Sequence, residues 1–449
     1  MKVSVRLLAL LALLAAPGFF HGQDPDSSSV SAQSSPVPQA SPSPTPAAQP
    51  SPSPNPNETL ENTIEAGESS DEPPQRRLVH WNEYHGPYFT MRVGGGILVD
   101  TAAYAQDNQS KEQFKLTPDV KLRDARLILR GTFPKWKRVT WSSGLMYDAP
   151  THEFLVRETG LMIKIPELWG NLFVGRTKEG FSLNKVMVGY AGWTMERFTM
   201  NDASIPILAD GIKWLGYSPK YGFAWNLGAY NDLLSEGQTF STYSYQFVAR
   251  PIWLPIHSEA GTLFHLGVNL RYGRPKDGKL QLRSRPEAFP APYFVDTGKF
   301  NASASRIAGY EAYYRRGPWL FGSEYWWVNV SSPSTGNPVF HGGNVVATWI
   351  VTGETRAYNT IGGFFKPVSP KRPVFDGGPG AWELVLNYST IDLDSGTLKG
   401  GKFWRVTPMA NWHMSDNVRL EFGYGYGHLD RFNLKGYTNF FQTRVQLQL

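Results

Sequence analysis

The feature that most restricts how this chain can fold is a repeated alternation of apolar and polar residues. It runs in segments of about ten, separated by turn residues, from about residue 86 to the last residue. In the closing segment Phe441, Thr443, Val445, Leu447 and Leu449 take one face, and Gln442, Arg444, Gln446 and Gln448 the other. Side chains alternate across a strand, so one face meets apolar surroundings and the other meets water. The pattern recurs in 221–230, 262–273 and 403–414. After the last of these, Ser415-Asp416-Asn417 turns the chain into Val418, Leu420, Phe422, Tyr424 and Tyr426, which reads as a hairpin with a tight turn.

A soluble β-sandwich also alternates. Three features favour a membrane setting instead. Trp, Tyr and Phe (15, 21 and 26 residues) gather on the apolar faces near strand ends, as an interfacial girdle requires. The polar faces carry Arg, Gln, Asn and Gly, which suit a wet lumen, and the chain ends on its alternating strand. Beyond the N-terminus no apolar run approaches the ~18 residues of a membrane helix. The absence of Cys excludes a disulfide scaffold and a Cys-ligated zinc site. The expected fold is therefore all-β, a transmembrane antiparallel β-barrel. Residues 88–449, at about 22 residues per strand and connection, make roughly sixteen strands.

Two stretches precede the barrel. Residues 1–23 read as a signal peptide, with Lys2 and Arg6 ahead of the short apolar run Leu7–Ala16. Residues 24–85 read as a Pro/Ser-rich acidic linker in the periplasm, too poor in apolar residues to build a core. The outer-membrane barrel is expected over 86–449. The net charge of +6 divides along the same line. Residues 1–75 hold two basic and eight acidic residues, which leaves 42 basic and 30 acidic in 76–449, a charge of +12. A basic excess of that size implies an anionic partner.

Placing the polar faces inward nominates Arg92, Arg126, Arg130, Arg138, Arg250, Arg271, Arg315, Arg356, Arg405, Arg419 and Arg444 as lumen residues that bind a passing anion. Arginine stays charged at any relevant pH and offers several donors to an oxyanion. The same residues could instead sit at the rims, bind lipid phosphates, or pair with Glu311, Glu324, Glu354, Glu383 and Glu421. The stretch 179–209 does not alternate. Folded inward it would narrow the pore and bring Lys178, Lys185 or Arg197 to a constriction, and folded outward it would be an ordinary loop or a cap.

Several segments, in order, resemble the phosphate-selective porin O and P family. They are Arg-Asp-Ala-Arg-Leu (123–127), Val-Gly-Arg-Thr-Lys-Glu-Gly-Phe-Ser (174–182), Met-Glu-Arg (195–197), Thr-Gly-Glu-Thr-Arg-Ala-Tyr (352–358), Gly-Ala-Trp-Glu-Leu (380–384), Tyr-Ser (388–389), Asp-Asn-Val-Arg (416–419) and the final nine residues. The resemblance implies a sixteen-stranded outer-membrane porin, a homotrimer, that conducts phosphate or polyphosphate along a ladder of basic residues. Asp210 and Asn387 stand where that family often has a basic residue, and Leu449 stands in place of its terminal aromatic.

The functional expectation is a water-filled, anion-preferring channel in contact with outer-membrane lipid. The alternative is a weakly selective general porin, or a structural outer-membrane protein without a phosphate site. No cofactor is expected. An enzyme is disfavoured because the chain lacks His-Glu-x-x-His and Gly-x-Ser-x-Gly, and 273–279 looks like a phosphate-binding loop but has Leu280 where Ser or Thr is required. Export disfavours a nucleic-acid partner.

Overall fold

The computed structural model describes residues 81–148, 152–187, 189–232, 243–258 and 261–449. The expected signal peptide and all but the last five residues of the expected linker lie outside them.

One antiparallel sheet closes on itself. Its sixteen wall strands are β1 (Thr90–Gln106), β2 (Asp119–Thr132), β3 (Val139–Asp148), β4 (Thr159–Ile165) and β5 (Gly170–Thr177). Next come β6 (Ala209–Ser218), β7 (Phe223–Asn231), β8 (Tyr243–His257), β9 (Thr262–Pro275), β10 (Ala304–Arg316) and β11 (Trp319–Ser331). The last five are β12 (Val339–Ile350), β13 (Ala381–Ser395), β14 (Leu398–His413), β15 (Val418–Arg431) and β16 (Leu434–Gln448). Two short stretches extend the sheet. Glu153–Val156 pairs with β3 ahead of β4, and Glu83–His85 pairs with β1, so pairing begins slightly before residue 86. β1 meets β16 with Asp100 opposite Arg444 and Val99 opposite Val445, so no strand edge is left for lipid to meet.

The alternation sets which side is which. Phe441, Val445 and Leu447 on β16 are exposed outward, whereas Gln442, Arg444 and Gln446 are buried inward. Leu227, Phe247, Trp253, Val268 and Leu386 continue the outward apolar belt. The turns at 133–138, 166–169, 219–222 and 317–318 lie at the end that carries Leu449, the periplasmic end in barrels of this kind.

Three long connections turn into the barrel. Connections 178–208 (after β5) and 276–303 (after β9) descend from the extracellular end. Connection 351–380 (after β12) rises from the periplasmic end, where short turns are the rule. With them the interior is partly filled by side chains. Phe181, Phe198, Met200, Phe294, Trp326, Phe403 and Phe440 form one apolar cluster inside the wall, and Trp193, Tyr313, Phe364 and Phe365 belong to a second. The cause is local: in their extracellular halves several strands carry apolar residues on both faces, as Phe403 beside Trp404 does, and the inward ones meet the inserted loops.

Candidate functional site

Connection 178–208 crosses the lumen, and inward side chains of successive strands hold its backbone. Ser182 N–H donates to Asn269 Oδ1 on β9 (2.7 Å), Leu183 N–H to Glu311 Oε2 on β10 (2.6 Å), and Asn184 N–H to Glu324 Oε1 on β11 (2.8 Å). On the far side Asn411 of β14 donates to Trp193 O (2.9 Å) and Arg419 of β15 to Tyr190 O (3.3 Å). These contacts satisfy buried backbone groups that would otherwise lack water.

Most of the arginines nominated from the strands serve the same purpose. Arg250 binds Glu311 (2.7 Å) and the carbonyls of Gly362 and Gly363 in the periplasmic insert (3.2 and 2.7 Å). Arg271 binds Glu179 through two donors (2.6 and 3.1 Å). Arg444 binds Asp100 (2.6 Å), Glu196 (2.6 Å) and the Met195 carbonyl. Arg419 pairs with Glu421 at 3.3 Å, Arg126 with Asp124, and Arg92 with Glu83 at 3.9 Å. Arg315 and Arg405 hold loop carbonyls instead: Arg315 that of Arg356 (2.6 Å), Arg405 those of Pro286 (2.6 Å) and Glu287 (3.2 Å). Arg130 is buried on β2 opposite Arg92, and Arg138 is exposed at the periplasmic rim with Glu167 (2.9 Å).

Arg356 belongs to the periplasmic insert. It clamps Glu383 of β13 bidentately (2.9 and 2.8 Å) and donates to Ala191 O of the extracellular insert (2.9 Å). Tyr358 meets His265 at 2.5 Å, and Phe365 faces Trp193 with ring centroids 6.3 Å apart. The two inserts therefore touch in mid-barrel. Buried ion pairs of this kind fix geometry more than they add stability.

The cations without a carboxylate form a different set. Lys178 Nζ and Arg197 both donate to the Met187 carbonyl (3.1 Å each), and among the described residues neither has a carboxylate at ion-pair distance. Both feel the charges of Arg126 and Arg157 on the neighbouring wall, and Arg197 also feels Arg123. Asp124, Glu158 and Glu196 are the acids of this region, so five cations face three carboxylates. Burial, and then Arg197, push the Lys178 ammonium well below the ordinary lysine range. The same causes bring Lys185 down to about 7, and burial followed by Arg123 brings Arg197 down to about 10. Burial would raise the Glu196 carboxyl, but Arg123 and Arg444 hold it at about 2. Lys185 lies buried behind the loop and donates to Ile205 O (3.2 Å), whereas Lys178 and Arg197 keep partial exposure.

Of the residues nominated from the sequence, this site brings together Lys178, Arg197 and Arg126. Arg123 and Arg157 were not nominated. Arg123 stands beside a register shift in β2 and Arg157 sits between two strand segments, so strict alternation does not assign them a side. Asp210, one of the departures from the family pattern, binds Arg176 at 2.8 Å, and Asn387 accepts from Asn344 at 3.0 Å.

A closed sixteen-stranded barrel with an outward apolar belt and inward-folded loops is the architecture of an outer-membrane porin. The chain belongs to the phosphate-selective porin O and P family, whose sequence profile matches residues 91–449. A protein of Caulobacter vibrioides is 27% identical over 186 residues, a match spanning 40% of this chain and 37% of that protein. Among solved structures, OmpT of Vibrio cholerae, determined in a trimer form, superposes with a TM-score of 0.51 at 11% identity over 81% of this chain and 100% of that one. The channel DcaP of Acinetobacter baumannii gives a TM-score of 0.51 at 11% identity over 81% and 99%. At such identities these two likenesses concern the fold alone.

Proposed function

We propose that the protein is an anion-preferring diffusion channel whose selectivity arises where connection 178–208 faces strands β2–β4. The observation that carries this reading is the group Lys178, Arg197, Arg123, Arg126 and Arg157, in which cations outnumber carboxylates and the two loop cations are held by a carbonyl instead of an acid. Field from such a group favours anions and excludes cations, while bonds to it stay weak enough for release. Phosphate or polyphosphate is the substrate class that family membership supports. Residues 1–23 are proposed as the export signal and 24–85 as a periplasmic tether. The assembly is proposed as a homotrimer in outer-membrane lipid.

Reversal potentials of the purified protein in planar bilayers under a KCl gradient test this, and cation preference would sink it. A weakly selective general pore is the second reading, favoured by the carboxylate partners of Arg250, Arg271, Arg356 and Arg444. Phosphate added during chloride conduction separates the two. Block at low concentration supports a phosphate site, and indifference supports the general pore.

A further inference from the structure

Connection 276–303 carries the segment Arg283-Ser-Arg-Pro-Glu-Ala-Phe-Pro-Ala-Pro-Tyr293, and its fold brings three guanidiniums and two rings into one alternating series. The Arg283 and Arg285 guanidiniums lie over the Tyr293 ring, 4.2 and 4.6 Å from its centroid. Arg285 also lies over Phe289 at 5.5 Å, and Arg123 of β2 lies over the same ring at 4.6 Å. The order is Arg283, Tyr293, Arg285, Phe289, Arg123, and Arg123 then binds Glu196 (2.6 Å) at the edge of the cationic site.

Two properties separate this series from the wall arginines. First, Arg283 and Arg285 have no carboxylate at ion-pair distance among the described residues. Asp296, opposite Arg283 in a short two-stranded pairing within the same connection (Arg283–Ser284 with Val295–Asp296), accepts from Gln281 (2.8 Å), and Glu287 accepts from Thr199 N–H (3.2 Å). A guanidinium held by a ring keeps its charge; Arg283 leaves its N–H edge open to an oxyanion, and Arg285 gives one N–H to the Ala291 carbonyl and keeps the others. Second, the series is rigid. Pro286, Pro290 and Pro292 restrict the backbone, Arg405 holds the carbonyls of residues 286 and 287, and Arg431 holds the Phe294 carbonyl (2.8 Å). Arg283 is exposed, and Arg285, Phe289 and Tyr293 are half-exposed, so the series is open to solvent along its length.

We propose that this series is a recognition strip for planar aromatic carboxylates, which it passes from the extracellular mouth to the constriction. The carboxylate takes a guanidinium edge while the aryl ring stacks on a guanidinium or ring face. The inference rests on the anion-preferring reading and adds a substrate class to it.

The test uses the full-length protein in planar bilayers carrying chloride current, with benzoate and cyclohexanecarboxylate added in turn. The two acids share charge and ring size, but only benzoate is flat. Benzoate is expected to reduce the current at about fivefold lower concentration. In the double variant Phe289→Leu/Tyr293→Leu, with folding checked by circular dichroism, that difference is expected to vanish. Equal effects of the two acids, including no effect of either, overturn the proposal, as does a difference that survives in the double variant. Arg283→Gln alone, which leaves both rings in place, is expected to weaken both acids. The reversal potential measured in the same membranes keeps the two readings apart. Cation preference defeats the channel reading, whereas anion preference with equal acids defeats only this one.

Discussion

An arginine bonded to a carboxylate in a dry interior no longer presents a full charge to a passing ion, whereas one bonded to a carbonyl or a ring face does. Arg250, Arg271 and Arg444 are of the first kind, and Lys178, Arg197, Arg283 and Arg285 of the second. Selectivity is therefore expected to respond to Arg197→Gln, with the anion-to-cation permeability ratio falling on the order of twofold. Lys178 adds a pH dependence. A lysine held below its usual range is charged at low pH and loses its charge early as pH rises, while the arginines stay charged. With Lys178 of the cationic site held well below the usual lysine range, anion preference is expected to decline as pH rises, and to do so at lower pH than an ordinary lysine would give. Reversal potentials across a pH series check it, and a flat profile removes Lys178 from the selectivity mechanism. In the sequence these residues look like any other cations. What separates a paired arginine from a free one is a partner far along the chain, such as Glu179 for Arg271 or Asp100 for Arg444.

At the scale of elements, the strands were legible and the inserts were not. Period-two alternation places Gln442, Arg444 and Gln446 inward with no further information, because a strand offers only two faces. Connection 178–208 has no such periodicity, and its direction is set by Glu311, Glu324 and Asn411, which bond its backbone. In the sequence the periplasmic insert 351–380 shows a family-like motif at 352–358 and Arg356, which is expected on the polar face of a wall strand and instead lies in the insert. Its inward course depends on Arg356, whose clamp on Glu383 joins it to β13 and to the extracellular insert. Arg356→Ala leaves Glu383 buried without that partner, a loss of about 3–5 kcal/mol of local anchoring. The expected result is a loosened insert and a larger single-channel conductance. Unchanged conductance would mean that the insert does not limit the current.

At the scale of the whole molecule, the wall is lowest at β4 and β5. Their 7 and 8 residues fall short of the ~9–11 that a lipid-facing strand needs. On the outside, Leu161, Val174 and Ile212 stand in register on β4, β5 and β6 and form an exposed aliphatic row. A low, apolar stretch of wall suits contact with another copy of the chain better than contact with lipid, in keeping with the proposed homotrimer. Val174→Arg together with Ile212→Arg is expected to shift the protein from trimers to monomers on native electrophoresis, with the barrel retained. Trimers that survive would place the interface elsewhere.

The amino-acid sequence by itself determined the barrel, its strand number and the side on which most wall residues stand. Those follow from a local rule, the alternation of side chains along a strand, repeated until the sheet could close. Tertiary structure alone decided what the inside contains. Two inserts meeting at Ala191 and Arg356, a lumen partly filled by Phe294, Trp193 and Trp326, and the division of the arginines into paired and unpaired all rest on contacts between distant segments. No local pattern records such contacts, because they form only once the wall has brought those segments within a few ångströms of each other.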